Sequence, residues 1–130
     1  MGGKKVSILI EKKLFQHVDR RLYDSKGFVD YHQLQKHLNV RIKALARVVG
    51  KTPRWLEKNP GSETIQKELR KVVSVISLLK EMLESETEVL IWLKAPNPEF
   101  SGLCPWDVIV QGEVAAIITY LIDIRKGALT

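Results

Sequence analysis

The chain has 130 residues, 45% of them hydrophobic and 28% charged, with a formal net charge of +6. That is the composition of an ordinary soluble globular protein, sized for one domain or two intimate subdomains. No apolar run nears the roughly 20 residues that span a bilayer, the short run Val6 to Ile10 is too brief for a signal-peptide core, and the single cysteine, Cys104, excludes an internal disulfide framework, so a cytoplasmic protein is expected.

Most of the chain reads as helix. Ile10, Leu14, Phe15, Val18 and Leu22 recur at spacings of three and four, which predicts one helix face over 8–23. Taken alone, Val6 to Ile10 also fits a strand. A loop follows around Ser25-Lys26-Gly27. Asp30 then caps a helix with Tyr31, Leu34 and Leu38 inward, and Gln33 three positions on completes a capping-box pattern. Asn39 breaks it. Ile42, Leu45, Ala46 and Val49 form the next apolar face, and Gly50 leaves that helix in a left-handed conformation. Thr52-Pro53 starts a short helix to Lys58: a hydroxyl cap, then proline where no N–H is needed. Ser62 caps the longest helix, whose core stripe is Ile65, Leu69, Val72, Val73, Ile76, Leu79 and Leu83. Ser85 to Glu88 separates it from a terminal module. The expected division is therefore 1–84, a helical N-terminal region, and 85–130, the terminal module.

Charge is unevenly placed. Residues 1–58 carry 14 Lys/Arg against 5 Asp/Glu, while 59–130 carry 7 against 10. Between Lys36 and Lys58 there are seven basic residues and one acid, Glu57. Such a field attracts polyanions and weakens with salt, although many charge runs only solvate a helix face. Here the basic run coincides with residues 41–58, which have the outline of a helix-turn-helix. Ala46 lets a second helix approach, Gly50 makes the turn, and Trp55 and Leu56 are expected to point inward. Lys51, Thr52, Arg54 and Lys58 are left outward as candidate DNA contacts, to phosphates or base edges. An Ala-x-x-x-Gly spacing also occurs in plain helical hairpins, and the second helix lacks the Gln and Ser residues that often read bases.

The terminal module is densely punctuated. Trp92-Leu93 ends a helical segment, and Ala95-Pro96-Asn97-Pro98 makes a stiff turn. Phe100-Ser101-Gly102-Leu103 leads to a helix start at Cys104-Pro105-Trp106-Asp107. Gly112 breaks that helix. A last apolar helix carries Val114, Ile117, Ile118, Leu121 and Ile122, and Gly127 is expected to stop it and release Ala128-Leu129-Thr130 as a short tail. Trp92, Leu93, Phe100 and Trp106 are the expected core of the module. Trp106 has a second reading, as an exposed aromatic anchor for a partner.

This order of residues resembles the toxin-binding domain of the Xre/MbcA/ParS antitoxins, partners of toxins with a RES domain. The resemblance is carried by Trp92, Leu93, Pro96, Asn97, Pro98, Phe100, Gly102, Pro105, Asp107, Val108, Ile109, Gly112 and Gly127, about a third of the chain. Ser101 stands where a second glycine is usual, Trp106 where an aliphatic is usual, and Asp123 where a basic residue is more common. The segment 41–58 resembles the Xre-type helix-turn-helix that precedes the domain in those antitoxins. The resemblance implies an all-α protein with an Xre-like helix-turn-helix bundle ahead of a compact toxin-binding module. It implies a bacterial antitoxin that neutralises a RES-domain toxin consuming NAD or transferring ADP-ribose, and that binds its own operator. It puts the C-terminal end of the chain at the toxin's active-site cleft, which makes Arg125, Lys126, Gly127, Leu129 and Thr130 toxin-binding candidates beside Trp106. A homodimer suits a palindromic operator.

No catalytic set is evident, and no cofactor is implied. The chain lacks a Gly-rich phosphate loop and a Gly-x-Ser-x-Gly elbow. His32 and His37, five apart, do not share a helix face, and no metal-ligand spacing surrounds them or His17. Cys104 at a helix N-terminus has the position of a low-pKa nucleophile, but no histidine follows it, and a cap or packing role is the simpler reading. Glu81, Glu84, Glu86 and Glu88 read as a solvated helix end, and Asp107 as a charge that favours the N-terminal dipole. Two other functions stay open: a stand-alone helix-turn-helix transcriptional regulator, and a small adaptor that binds protein without nucleic acid.

Overall fold

The computed structural model describes residues 20–128, and the expectations for a helix or strand before Arg20 lie outside it. Among the described residues there are seven α-helices: α1 Tyr31–Leu38, α2 Ile42–Val48, α3 Pro53–Lys58, α4 Glu63–Met82, α5 Glu86–Lys94, α6 Pro105–Val110 and α7 Val114–Ala128. Two 3-10 turns, Arg20–Leu22 and Pro98–Phe100, complete the order. The fold class is all-α. Among the described residues the one extended feature is an isolated antiparallel bridge between Tyr23 and Val29.

The helix starts follow the side chains that can cap them. An exposed helix N-terminus leaves N–H groups without intrahelical partners. Asp30 accepts from the His32 N–H at 2.9 Å, Thr52 from Trp55 at 3.1 Å, Ser62 from Ile65 at 3.3 Å and Ser85 from Glu88 at 3.1 Å. Ser85 therefore opens α5 directly, where the sequence suggested a separating segment. The ends follow backbone conformation. Asn39 closes α1 at φ 54°, Gly50 separates α2 from α3 at φ 70°, and Gly112 separates α6 from α7 at φ 91°. Thr52→Ala should cost about 1 kcal/mol, the usual value of such a cap; a melting curve unchanged by the substitution would contradict this.

The twenty-residue α4 is the spine. Ile65, Leu69, Val72, Val73, Ile76 and Leu79 are buried as the stripe predicts, and Leu83 is half-buried. Helix α7 packs along α4 through Val114, Ile117 and Leu121. Each fully buried Leu or Ile contributes about 1.5–3 kcal/mol relative to exposure. An Arg125–Glu81 ion pair at 3.0 Å closes the α4–α7 edge. On the other side α1, α2 and α3 supply Leu34, Leu38, Leu45, Ala46 and Leu56. One core joins these layers, running from Leu22 to Leu121. It crosses the expected division at 84/85, which falls in the loop between α4 and α5.

One polar side chain is built into this core. Gln66 is buried, its Oε1 accepting from the Val29 N–H at 2.8 Å. Its Nε2 donates to the Val29 carbonyl at 3.0 Å and to that of Pro60 at 2.9 Å. The amide replaces a missing strand partner for Val29, which keeps the buried backbone groups satisfied. It fixes the 23–29 loop onto α4.

Candidate functional site

In the terminal module, α5, the 96–104 turn, α6 and α7 enclose an aromatic cluster. Asn97 organises the turn: its side chain accepts from the Glu99 N–H at 3.0 Å, and its carbonyl accepts from Gly102 at 3.1 Å. This lays Phe100 beside Tyr120, edge to face at 5.1 Å, with Trp92 near-parallel to Tyr120 at 6.4 Å. Such offset and edge-to-face pairs suit the ring quadrupoles. Leu93 is buried, whereas Trp92 and Phe100 are half-buried around Tyr120. Tyr120 was not singled out from the sequence, because its partners lie at distant positions. Ser101 adopts φ 56°. A side chain in that left-handed region is strained, which gives a physical reason for the glycine usual at this place in the resembling antitoxins.

The candidate toxin contacts fall in different settings. Trp106 is only 9% exposed and belongs to the core. Arg125 is held by Glu81 at 3.0 Å. Lys126 and Gly127 are exposed on the last turn of α7. Gly127 does not stop that helix: α7 runs through Ala128, and Gly127 is not in a left-handed conformation. A glycine ends a helix when its φ turns positive; otherwise it is tolerated inside one at a cost of about 1 kcal/mol. Leu129 and Thr130 lie outside the described residues. The module also leaves apolar side chains in solvent, above all Ile91 at 61% exposure, with Leu103 and Ile124.

In the basic segment, α2 and α3 pack against each other, with the Lys51 N–H donating to the Ala46 carbonyl at 2.9 Å. Lys51, Thr52, Arg54 and Lys58 are all exposed. The Thr52 hydroxyl oxygen is engaged as the cap of α3. Trp55 departs from expectation: it is 39% exposed, and Leu56 alone fills the inward position of this short helix. Adjacent residues on a helix are about 100° apart, and in this short helix the turn that buries Leu56 leaves Trp55 on the exposed side. The Lys51 ammonium lies 4.7 Å from the Trp55 ring centroid, a cation–π arrangement. Arg41, Lys43 and Arg47 are exposed on α2, extending the basic surface.

Cys104 and Asp107 meet at the start of α6. Burial first, then a hydrogen bond to the Asp107 side chain, pushes the Cys104 thiol above its ordinary pKa. The resulting thiol is the less nucleophilic form. Iodoacetamide at pH 8 should alkylate Cys104 more slowly than it alkylates the urea-unfolded chain, and Asp107→Asn should accelerate labelling; faster labelling of the folded wild type would contradict the assignment. Among the described residues no group of three or more His, Cys, Asp or Glu side chains is placed to hold a metal ion. No described helix is long and apolar enough to cross a membrane.

Fold and site together describe an all-α protein whose last helices form a tightly turned module with exposed apolar side chains. Residues 78–127 match the family model of the antitoxin Xre/MbcA/ParS C-terminal toxin-binding domain. Over these residues the chain is similar to the toxin-binding domain of that antitoxin family. The match begins at Leu78 and so takes in only the last turn of α4, the helix against which α7 packs. No curated protein and no solved structure matches the chain.

Proposed function

We propose that the chain is the antitoxin of a type II toxin–antitoxin pair, that its toxin is a RES-domain enzyme consuming NAD or transferring ADP-ribose, and that the basic α2–α3 surface binds the operator of the pair. The observation that carries this reading is the toxin-binding-domain match over residues 78–127. The end of α7, with Lys126 and Gly127, and the following Leu129 and Thr130 enter the toxin's cleft. An NAD-binding cleft accommodates anionic groups, and the apolar Leu129 adds contact. Operator binding is supported by the exposed cations Lys51, Arg54 and Lys58 on and just before α3. A homodimer would match a palindromic operator.

Co-expression with the RES-domain protein of the neighbouring reading frame tests the reading: growth should be restored by the full chain. Deleting Leu129 and Thr130 should then release toxin activity while the complex still forms. Full protection by the shortened chain would remove the tail from the mechanism; growth arrest that ignores the full chain would remove the antitoxin reading itself.

A further inference from the structure

A groove of about 510 Å³ lies where α2 meets α6. Arg41, Lys43 and Arg47 line it from α2, and Lys94 from the end of α5. The Lys94 ammonium is anchored to the Asn39 carbonyl at 3.1 Å, across 55 residues of sequence. The first three cations form no ion pair among the described residues. Asp107 is the one carboxylate in the lining, which also includes Cys104. Besides Asn39 and Cys104, the rest of the lining is apolar: Val40, Ala44, Val110 and Trp106.

Four cations around one acid attract an anion, and the apolar floor distinguishes which kind. Duplex DNA presents phosphates to convex, protruding elements and gains nothing from a concave apolar floor. An acidic peptide segment with an apolar side chain satisfies both features at once: carboxylates near the cations, the apolar group against Val40, Ala44 and Val110. The volume lies within the range of pockets that enclose a few side chains. Lys94, Trp106, Asp107 and Val110 all belong to the matched residues 78–127, so the groove is continuous with the toxin-binding module. We propose that the α2–α6 groove receives an acidic, apolar-tipped segment of the toxin. This rests on the antitoxin reading. It adds a second contact away from the end of α7, made partly by the helix that begins the basic α2–α3 surface, so an occupied groove would oppose DNA on that helix.

The test uses the full chain and a fluorescein-labelled polyglutamate peptide with a central leucine, followed by anisotropy. Lys43→Glu with Arg47→Glu should weaken binding about tenfold, with the circular dichroism spectrum and melting unchanged because both positions are exposed. The control pair Lys67→Glu and Arg70→Glu, exposed on α4, should leave binding as it is. Replacing the peptide's leucine by glycine should weaken binding as well. Equal loss in the control pair, no dependence on leucine, or a duplex oligonucleotide that displaces the peptide from the wild type while binding more tightly would each overturn the proposal. A second arm separates it from the antitoxin reading. Retention of the co-expressed toxin should be reduced in the Lys43→Glu, Arg47→Glu chain. Undiminished retention overturns the groove and leaves the antitoxin; a wild-type chain that retains no toxin overturns the antitoxin reading.

Discussion

Replacing Trp106 with alanine is expected to lower the unfolding free energy by about 3–5 kcal/mol, the range for deleting a large buried aromatic. The side chain is 9% exposed and sits in the core. Its helix, α6, touches α2, α5 and α7, so it joins the N-terminal helices to the terminal module. With a total stability of about 5–15 kcal/mol typical of such domains, the loss would unfold a sizeable fraction of the protein at growth temperature. Trp106→Leu restores the aliphatic character usual at this position in the resembling antitoxins and should recover part of the loss. Urea unfolding measures both. An unchanged midpoint for the alanine variant, with capture of the toxin lost, would instead make Trp106 a partner anchor.

The second large effect concerns nucleic acid. Arg54→Glu with Lys58→Glu should abolish salt-sensitive binding to the promoter of the chain's own operon, without unfolding, because both side chains are exposed. Each phosphate contact removed lowers the slope of log affinity against log salt by about one. Fluorescence anisotropy between low and moderate salt is the measurement. A wild type that binds no duplex, or binds with no salt dependence, would reduce α2 and α3 to a scaffold. Trp55 bears on the same experiment. It is exposed beneath the Lys51 ammonium, which places an aromatic and a cation together at the start of α3.

Much of this fold is legible in the sequence because it is locally encoded. Asp30, Thr52 and Ser62 each stand one residue before a helix, as their cap patterns predict, and each side chain caps it; Ser85 also caps a helix, where the sequence suggested only a separating segment. The stripe from Ile65 to Leu79 runs long enough for its helical period to be unmistakable. Trp55 is exposed against the sequence expectation because α3 has only six residues, too few for periodicity to tell residue 55 from residue 56. Gly127 continues α7 against the expectation of a stop because a glycine ends a helix only when its φ turns positive, and here it does not. The remaining features are non-local. The Arg125–Glu81 pair spans 44 residues, Lys94–Asn39 spans 55, and Tyr120 meets Trp92 and Phe100 only after the turn at Asn97 has formed. The terminal module was legible for a different reason: its glycines, prolines and Trp92 stand in an order that resembles that of the Xre/MbcA/ParS toxin-binding domain, which the match over 78–127 bears out. Trp106 and Arg125 show the limit of that legibility, since order alone does not tell a packed or paired side chain from a free one.

The most direct measurement of the central claim is the mass of the species formed when the full chain is co-expressed with the product of the neighbouring reading frame, the proposed toxin. A stable complex containing both proteins, protected from exchange with solvent deuterium over residues 78–127, is the predicted result. Two separate species, with the exchange of residues 78–127 the same as in the chain alone, would contradict it.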